Sequence, residues 1–398
     1  MEDEVSSQII LDLNERAKAA TAAGEKVLNA TIGMLYDEEG VLALGEEIRN
    51  VFSHHAKDSD FTYGSIAGEP PYRKGLLNWF FDGLFDGDFG KRIHSVATPG
   101  GTGALALADE ICAKEGAGVL IPKICWPNYA SQAQSFHMPY GYYANFDAAG
   151  KLDLKAIKDG AESLLRETGK VILIVNDPCQ NPTGYSMDEG EYVELLSLVN
   201  SYHGKLIPLF DIAYIDFSGV DTRGFIHRFC QGLLPECPSY IACSFSKTFS
   251  FYGLRIGALS CYSNDEGLAA EYGEKMVAGA RSIWSLSNHM AINVVSELLN
   301  TPELYSELRR LNRSNRLMVE KRGNLFLQQA KEVGLVIYPY SFGFFVSIPC
   351  DDALALTERL IKRGIFVSPM SKKIIRVALC AIKLSEVDGL AKAIKECM

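Results

Sequence analysis

Several features that define common protein classes are missing from this sequence. No run approaches the roughly 18 apolar residues that a membrane-spanning helix needs. No basic block suited to a nucleic-acid backbone is present, and acidic residues outnumber basic ones, 49 to 39. The acidic start, residues 1–5, lacks the pattern of a secretory signal. We therefore expect a cytoplasmic protein with neither a membrane nor a nucleic acid as partner.

The spacing typical of metal sites and disulfide frameworks is also missing. The ten cysteines are scattered without a C-x-x-C pair, and three of them, Cys243, Cys261 and Cys380, lie in apolar runs. The seven histidines show no H-x-x-x-H spacing. Buried free thiols in a reducing compartment, and no metal site, are the expectation.

Length and patterning predict two domains. A chain of 398 residues is too long for one small core. Short β-branched runs alternate with helical stretches, which predicts an α/β fold whose large domain has a mostly parallel sheet sandwiched by helices. These runs cover residues 93–97, 119–122, 171–175, 206–210, 240–245 and 256–261.

The ends of the chain have a different pattern. An amphipathic helix is predicted over residues 4–24, and after residue 284 we predict helices over 284–299, 302–334 and 352–363 with strands at 343–348 and 374–379. This pattern indicates a smaller α+β domain. The predicted boundaries are an N-terminal arm with part of the small domain over 1–50, a large cofactor-binding domain over 51–290 and a small domain over 291–398.

Residues suited to ligand binding follow the predicted strands, where open α/β sheets bind ligands. Glycines at 100, 101 and 103 open a helix and leave backbone N–H groups available for a phosphate. The same stretch weakly matches a dinucleotide fingerprint, but the next strand lacks the acid that would hold a ribose. A nicotinamide dehydrogenase therefore remains a minor alternative.

Three further strand ends carry polar or aromatic side chains. Trp126 could stack on a flat heterocycle or belong to the core. Asn181, in Asn-Pro-Thr-Gly, offers an amide at a turn. Asp211 would be costly to bury unless it faced a partner such as a pyridinium nitrogen, although a helix N-cap is the other interpretation, and Tyr214 follows three residues later.

The stretch from Ser244 to Arg255 suggests the chemistry. Lys247 follows an apolar run, and burial there would make its amine more nucleophilic. Serine hydroxyls and an arginine are suited to a phosphate, so the stretch fits a lysine that forms a Schiff base with pyridoxal phosphate. A solvated surface loop would explain this stretch taken alone. The ordered series of strand ends favours the cofactor site.

With these motifs the sequence resembles the fold type I, class I aminotransferases that use pyridoxal phosphate, the aspartate and aromatic enzymes above all. The resemblance covers residues 31–379, and its most specific parts are Asn181-Pro182-Thr183-Gly184 and Ser244-Phe245-Ser246-Lys247 with Arg255. It implies transamination between an acidic or aromatic L-amino acid and a 2-oxo acid, in a cytoplasmic homodimer whose active sites are shared across the interface.

The resemblance also implies a role for each matching residue. Lys247 would bond the cofactor and move the proton at the substrate's α-carbon, with Asp211 at the ring nitrogen. The other cofactor contacts would be Tyr214 and Asn181 at the ring's phenolic oxygen, Trp126 on its face, Gly101, Thr102, Ser244 and Arg255 at the phosphate, and Tyr63 from the opposite subunit.

Substrate contacts follow from the same resemblance. Arg376 would bind the α-carboxylate, with Gly33 and Asn181 beside it, and Arg281 would reach a distal carboxylate across the dimer. Tyr129 and Asn176 depart from the aspartate enzymes, in which histidines often stand behind the ring-binding aspartate, so the support of Asp211 is an open point. A lyase or decarboxylase on the same scaffold and a non-catalytic cofactor-binding module remain alternatives.

Overall fold

A computed structural model describes residues 7–398 of the chain. It contains eleven strands over these residues: β1 Leu28–Ala30, β2 Ile93–Thr98, β3 Gly118–Pro122, β4 Tyr140–Tyr143, β5 Val171–Asn176, β6 Leu206–Asp211, β7 Ser239–Ser244, β8 Gly257–Tyr262, β9 Phe345–Pro349, β10 Ile365–Ser371 and β11 Ile374–Ala378.

The strands alternate with α-helices along most of the chain. They are α1 Ser7–Ala22, α2 Glu46–Val51, α3 Asp58–Phe61, α4 Pro70–Phe81, α5 Gly100–Lys114, α6 Asn128–Ser135, α7 Leu154–Leu165, α8 Glu189–Asn200, α9 Thr222–Gly232, α10 Phe245–Thr248, α11 Glu266–Ile283, α12 His289–Asn300, α13 Pro302–Glu332, α14 Ala353–Ile361, α15 Leu384–Val387 and α16 Leu390–Cys397. Within residues 7–398 no helix combines the length and the apolar character that crossing a membrane would require.

Seven strands form the large sheet, in the order β2-β8-β7-β6-β5-β3-β4. All neighbours are parallel except β8, which is antiparallel to both β2 and β7. The six strands predicted from the sequence are confirmed. The sequence prediction missed the edge strand β4, because its half-exposed Tyr-Gly-Tyr-Tyr segment has no β-branched residue.

The large sheet separates two hydrophobic cores. Along β6, Leu206 and Phe210 pack into one core, whereas Ile207 and Leu209 pack into the other. This alternation follows from the two-residue period of a strand whose two faces are both covered. Asp211 is the last residue of the strand, so it lies at the carboxyl end of the sheet.

The smaller sheet has four strands in the order β1-β10-β11-β9. Strand β1 pairs in parallel with β10, so the N-terminal segment belongs to this sheet as expected. The sequence prediction missed β10, whose second half contains Pro369 between two serines, Ser368 and Ser371. Proline cannot donate to a ladder, and the pairing with β11 is irregular at this point.

Two helix predictions are revised at their ends. The predicted helix over 4–24 corresponds to α1, which is described from Ser7, while positions 4–6 lie outside the described residues. The helix predicted over 284–299 begins later, at His289, because Asn288 caps it by accepting a hydrogen bond from the Ala291 N–H at 3.1 Å. Ser285, with a φ of 68°, separates it from α11.

Candidate active site

A cavity of about 570 Å³ opens at the carboxyl ends of the large sheet, next to the smaller sheet. Eleven of the residues predicted from the sequence line it: Gly33, Gly101, Thr102, Trp126, Asn181, Asp211, Tyr214, Ser244, Lys247, Arg255 and Arg376. They come from segments separated by up to several hundred residues. The fold therefore brings together residues that the strand-end motifs and the family resemblance predicted.

Lys247 lies in the short helix α10, directly after β7. Its Nζ donates a hydrogen bond to the Gly33 carbonyl at 2.7 Å. Burial is the main cause that lowers the pKa of this amine to about 8; the positive charges of Arg376 and Arg255 act in the same direction, whereas Cys380 opposes the change. A larger fraction of the amine is thus neutral and nucleophilic near pH 8 than in a surface lysine.

Gly33 permits the close approach of this backbone to the lysine. A Cβ added at this position would lie 2.5 Å from Cζ of Phe345 and 3.6 Å from the Lys247 Nζ. A side chain here would clash with the phenylalanine ring, which would have to move. The glycine is therefore required for the geometry of the cavity wall.

One end of the cavity is suited to an anion. Helix α5 begins at Gly100, and its first turn has backbone N–H groups without helical partners. Gly100 has a φ of +70°, and a Cβ there would lie 2.5 Å from Nη2 of Arg255. Arg255 donates to the Ser246 hydroxyl at 2.9 Å, and no carboxylate within residues 7–398 forms an ion pair with it. Its charge is available to a bound phosphate.

Hydrogen bonds support the Asp211 carboxylate, a point that the sequence left open. The Tyr129 hydroxyl donates to Asp211 Oδ2 at 2.6 Å, and the Ala213 N–H donates to Oδ1 at 3.2 Å. Burial raises the pKa of the Asp211 carboxyl, and the Tyr129 and Ala213 donors oppose that change. Asn176 Nδ2 donates to the Asp211 carbonyl at 2.9 Å. Tyr129 and Asn176, the two residues that differ from those of the aspartate enzymes, thus both contact Asp211.

Trp126 and Tyr214 supply aromatic walls. Trp126 is half-buried before α6, with its ring perpendicular to that of Tyr129 at a centroid distance of 5.6 Å. Tyr214 is buried, packs edge-on against Phe344 and Phe345, and burial raises the pKa of its hydroxyl. The phenol therefore stays protonated near neutral pH and can donate a hydrogen bond.

Arg376 on β11 is buried without a carboxylate partner among the described residues. Its Nη1 donates to Asn181 Oδ1 at 3.1 Å and its Nη2 to the Thr31 carbonyl at 2.7 Å, whereas Nε has no partner. The guanidinium lies over the Phe345 ring at 4.2 Å, and burial lowers its pKa to about 10. A buried cation is costly unless an anion pairs with it, so this site is suited to a carboxylate.

Two predicted residues are not in this cavity. The side chain of Tyr63 is 92% exposed. Arg281 is exposed near the end of α11, where its Nη1 donates to the Ser285 hydroxyl at 3.1 Å. Both were assigned to the active site of an opposite subunit, so their positions in a single chain leave those assignments as predictions.

The sequence prediction missed several residues that line the cavity or contact its lining, among them Tyr252, Ile10, Leu11 and Thr31. Tyr252 lines the cavity beside Lys247, and Ile10 and Leu11 of α1 also line it. Thr31 contacts Arg376 only through its backbone carbonyl, and the sequence contains no signal for such a contact because every residue type has this carbonyl. Tyr252 could have been considered, since it lies five positions after the lysine.

Comparisons with known proteins identify the family of the chain. The family model described as aminotransferase class I and II matches residues 25–394. The chain is 28% identical over 304 residues to an aspartate aminotransferase of Pseudomonas aeruginosa, covering 74% of this chain and 73% of that protein. It is also similar to the crystal structure of an aminotransferase from Anaerococcus prevotii, with 27% identity, a TM-score of 0.91 and coverage of 98% and 96%.

A further solved structure shows the same fold with a cofactor. It is an aromatic-amino-acid aminotransferase from Burkholderia pseudomallei, covalently bound to pyridoxal phosphate. Its TM-score is 0.82 at 22% identity, with 99% of this chain and 97% of that chain covered. Because the family model covers most of the sequence, this chain belongs to the aminotransferase class I and II family and is a pyridoxal-phosphate-dependent aminotransferase.

Proposed function

We propose that the chain acts as a cytoplasmic homodimer that transfers the amino group of an acidic or aromatic L-amino acid to a 2-oxo acid. The observation that carries the proposal is a single cavity holding three complementary groups. They are an amine with a lowered pKa at Lys247, a carboxylate at Asp211 and an unpaired buried guanidinium at Arg376. A covalent cofactor, its ring nitrogen and an amino-acid carboxylate match these three groups.

The residues around the cavity fit pyridoxal phosphate. Arg255, Ser244, Gly101 and Thr102 would hold the phosphate at the start of α5. Asp211 would face the ring nitrogen, Trp126 would lie along the ring, and Asn181 with Tyr214 would contact the phenolic oxygen. When bound, the cofactor supplies an electron sink for negative charge that develops at the substrate's α-carbon.

Lys247 would move the proton at the α-carbon. A catalytic base works best when its pKa is near the working pH, and burial brings the pKa of this amine to about 8. The Gly33 carbonyl accepts a hydrogen bond from Nζ and holds the amine at the wall of the cavity. The base is thus positioned without a carboxylate that would keep it permanently protonated.

Arg376 would orient the amino acid. Its guanidinium is fixed by Asn181 and the Thr31 carbonyl, and its unpartnered Nε leaves one donor available. With a pKa of about 10, it remains charged at neutral pH. A carboxylate bound there would satisfy the buried charge and place the α-carbon beside Lys247.

A second subunit would complete the site. Phe61, the last residue of α3, is 72% exposed, and Tyr63, two residues later, is 92% exposed. Exposed aromatic side chains on an ordered segment are typical of a protein interface. We propose that Tyr63 contacts the cofactor phosphate of the partner and that Arg281 contacts the distal carboxylate of the partner's substrate.

The reaction type can be tested by mixing the loaded enzyme with an amino acid in the absence of a 2-oxo acid. A transaminase releases one equivalent of 2-oxo acid per active site and stops until an acceptor is added. Continuous turnover without an acceptor would instead indicate a lyase or decarboxylase. Aspartate, glutamate, tyrosine, phenylalanine and alanine, tried in turn, identify the amino donor.

A further inference from the structure

Tyr252 contacts the catalytic lysine through the face of its ring. The Lys247 Nζ lies 4.7 Å from the centroid of the Tyr252 ring. The same amine donates to the Gly33 carbonyl at 2.7 Å. The amine is thus held between a carbonyl oxygen and the electron-rich face of an aromatic ring.

The hydroxyl of the same tyrosine reaches a different segment. It accepts a hydrogen bond from the Leu35 N–H at 2.8 Å. Leu35 is buried and lies two residues after Gly33, whose carbonyl receives the lysine. One side chain therefore contacts the amine and also fixes the segment that binds the amine.

Few other groups around Lys247 favour its charged form. The titratable and charged groups that influence or face the amine are Arg376, Arg255, Cys380 and Tyr214, whose ring centroid lies 6.0 Å away. The two arginines repel an ammonium, and no carboxylate in the described part of the chain forms an ion pair with it. The Tyr252 ring is therefore one of few favourable contacts for the protonated amine.

We propose that Tyr252 is a positioning residue with two functions: its ring holds the free Lys247 amine beside the Gly33 carbonyl, and its hydroxyl fixes the Gly33–Leu35 segment. The proposal rests on the proposed role of Lys247 as the lysine that bonds the cofactor. When the amine is released by an amino acid, this contact keeps it near the α-carbon. Without the ring, the amine would lose a stabilising contact for its protonated form.

The test compares Tyr252→Phe, which retains the ring, with Tyr252→Leu and Tyr252→Met, which remove it. Full-length enzyme loaded with pyridoxal phosphate is treated with excess amino donor and no 2-oxo acid, which frees the Lys247 amine. Its pKa is then read from the pH dependence of Lys247 labelling by an amine-specific reagent, quantified by peptide mass. Hydrogen exchange of the peptide containing Leu35 reports the second contact.

We expect faster exchange at Leu35 in all three variants, because each lacks the hydroxyl. The Lys247 pKa should match wild type in Tyr252→Phe and fall by about half a pH unit to one pH unit in the Leu and Met variants, the size expected for a cation–π contact. The Met variant fills more of the ring's volume and provides the answer if the Leu variant does not fold.

Two results would overturn the proposal. Equal Lys247 pKa values in wild type and all variants, or a rise in the Leu and Met variants, would show that the ring does not stabilise the amine. Unchanged exchange at Leu35 in Tyr252→Phe would remove the second function. If Lys247 of the wild type is not released by amino donors, the proposed function of the lysine fails instead, which is a distinguishable outcome.

Discussion

Replacing Tyr129 by phenylalanine should weaken cofactor binding. The Tyr129 hydroxyl donates to Asp211 Oδ2 at 2.6 Å, and both side chains are buried. Its loss leaves one carboxylate oxygen without its side-chain donor, so the already raised pKa of Asp211 should increase further. A protonated aspartate pairs poorly with a pyridinium. Hydrogen bonds to charged groups contribute about 1.5–3 kcal/mol, which corresponds to affinity weaker by about 10-fold to 100-fold.

The assay is an equilibrium titration of the cofactor-free protein with pyridoxal phosphate, followed by visible absorbance. Tyr143→Phe is the matched control, because the Tyr143 hydroxyl is also buried but donates to the Ile174 carbonyl at 2.9 Å. We expect the control to bind as wild type does. If Tyr129→Phe also binds as wild type does, or if both variants weaken binding equally, the support of Asp211 by Tyr129 is refuted.

Three further predictions concern Arg376, Arg281 and Lys247. Arg376→Ala should reduce kcat/KM for every amino acid by about 100-fold or more. Arg376→Lys keeps the charge without the planar fork, so its loss of kcat/KM should be smaller. Equal losses in the two variants would contradict carboxylate recognition by the guanidinium. Arg281→Ala should reduce kcat/KM for aspartate by about 10-fold or more and affect phenylalanine little, and equal losses would remove the distal-carboxylate role. In the cofactor-free protein, Lys247→Met should raise the free energy of unfolding at pH 7 by up to about 3 kcal/mol, because the folded-state pKa near 8 is below the ordinary 10.5. Unfolding of the wild type then takes up a proton between pH 8 and 10.5, so its free energy of unfolding rises with pH across that window. The stability advantage of the variant should therefore disappear by the upper end of the window. A difference in denaturant unfolding that does not change with pH would contradict the lowered pKa.

The sequence was sufficient to predict that several candidate site residues lie together, because parallel strands end at one edge of a sheet. Asp211 ends such a strand, Asn181 and Lys247 each lie shortly after one, and all three line one cavity in the structure. The edge strand β4 and the strand β10 were missed, since half-exposed or proline-containing segments lack the apolar pattern of a buried strand. The domain boundaries remain predictions.

Contacts between distant segments could not be predicted from local patterns. The hydrogen bond from Tyr129 to Asp211 joins residues 82 positions apart, and that from Leu35 to Tyr252 joins residues 217 positions apart. Arg376 is fixed partly by the carbonyl of Thr31, and any residue type could supply a carbonyl. Such contacts depend on how the two sheets pack, which no single motif specifies.

The most direct test of the central claim is chemical identification of the lysine that bonds the cofactor. The enzyme is mixed with pyridoxal phosphate and reduced with borohydride, which makes the attachment permanent, and the modified peptide is identified by mass spectrometry. We predict that the cofactor mass is found on Lys247 and that prior treatment with an amino donor prevents its attachment. Attachment to another lysine, or none at Lys247, would contradict the account.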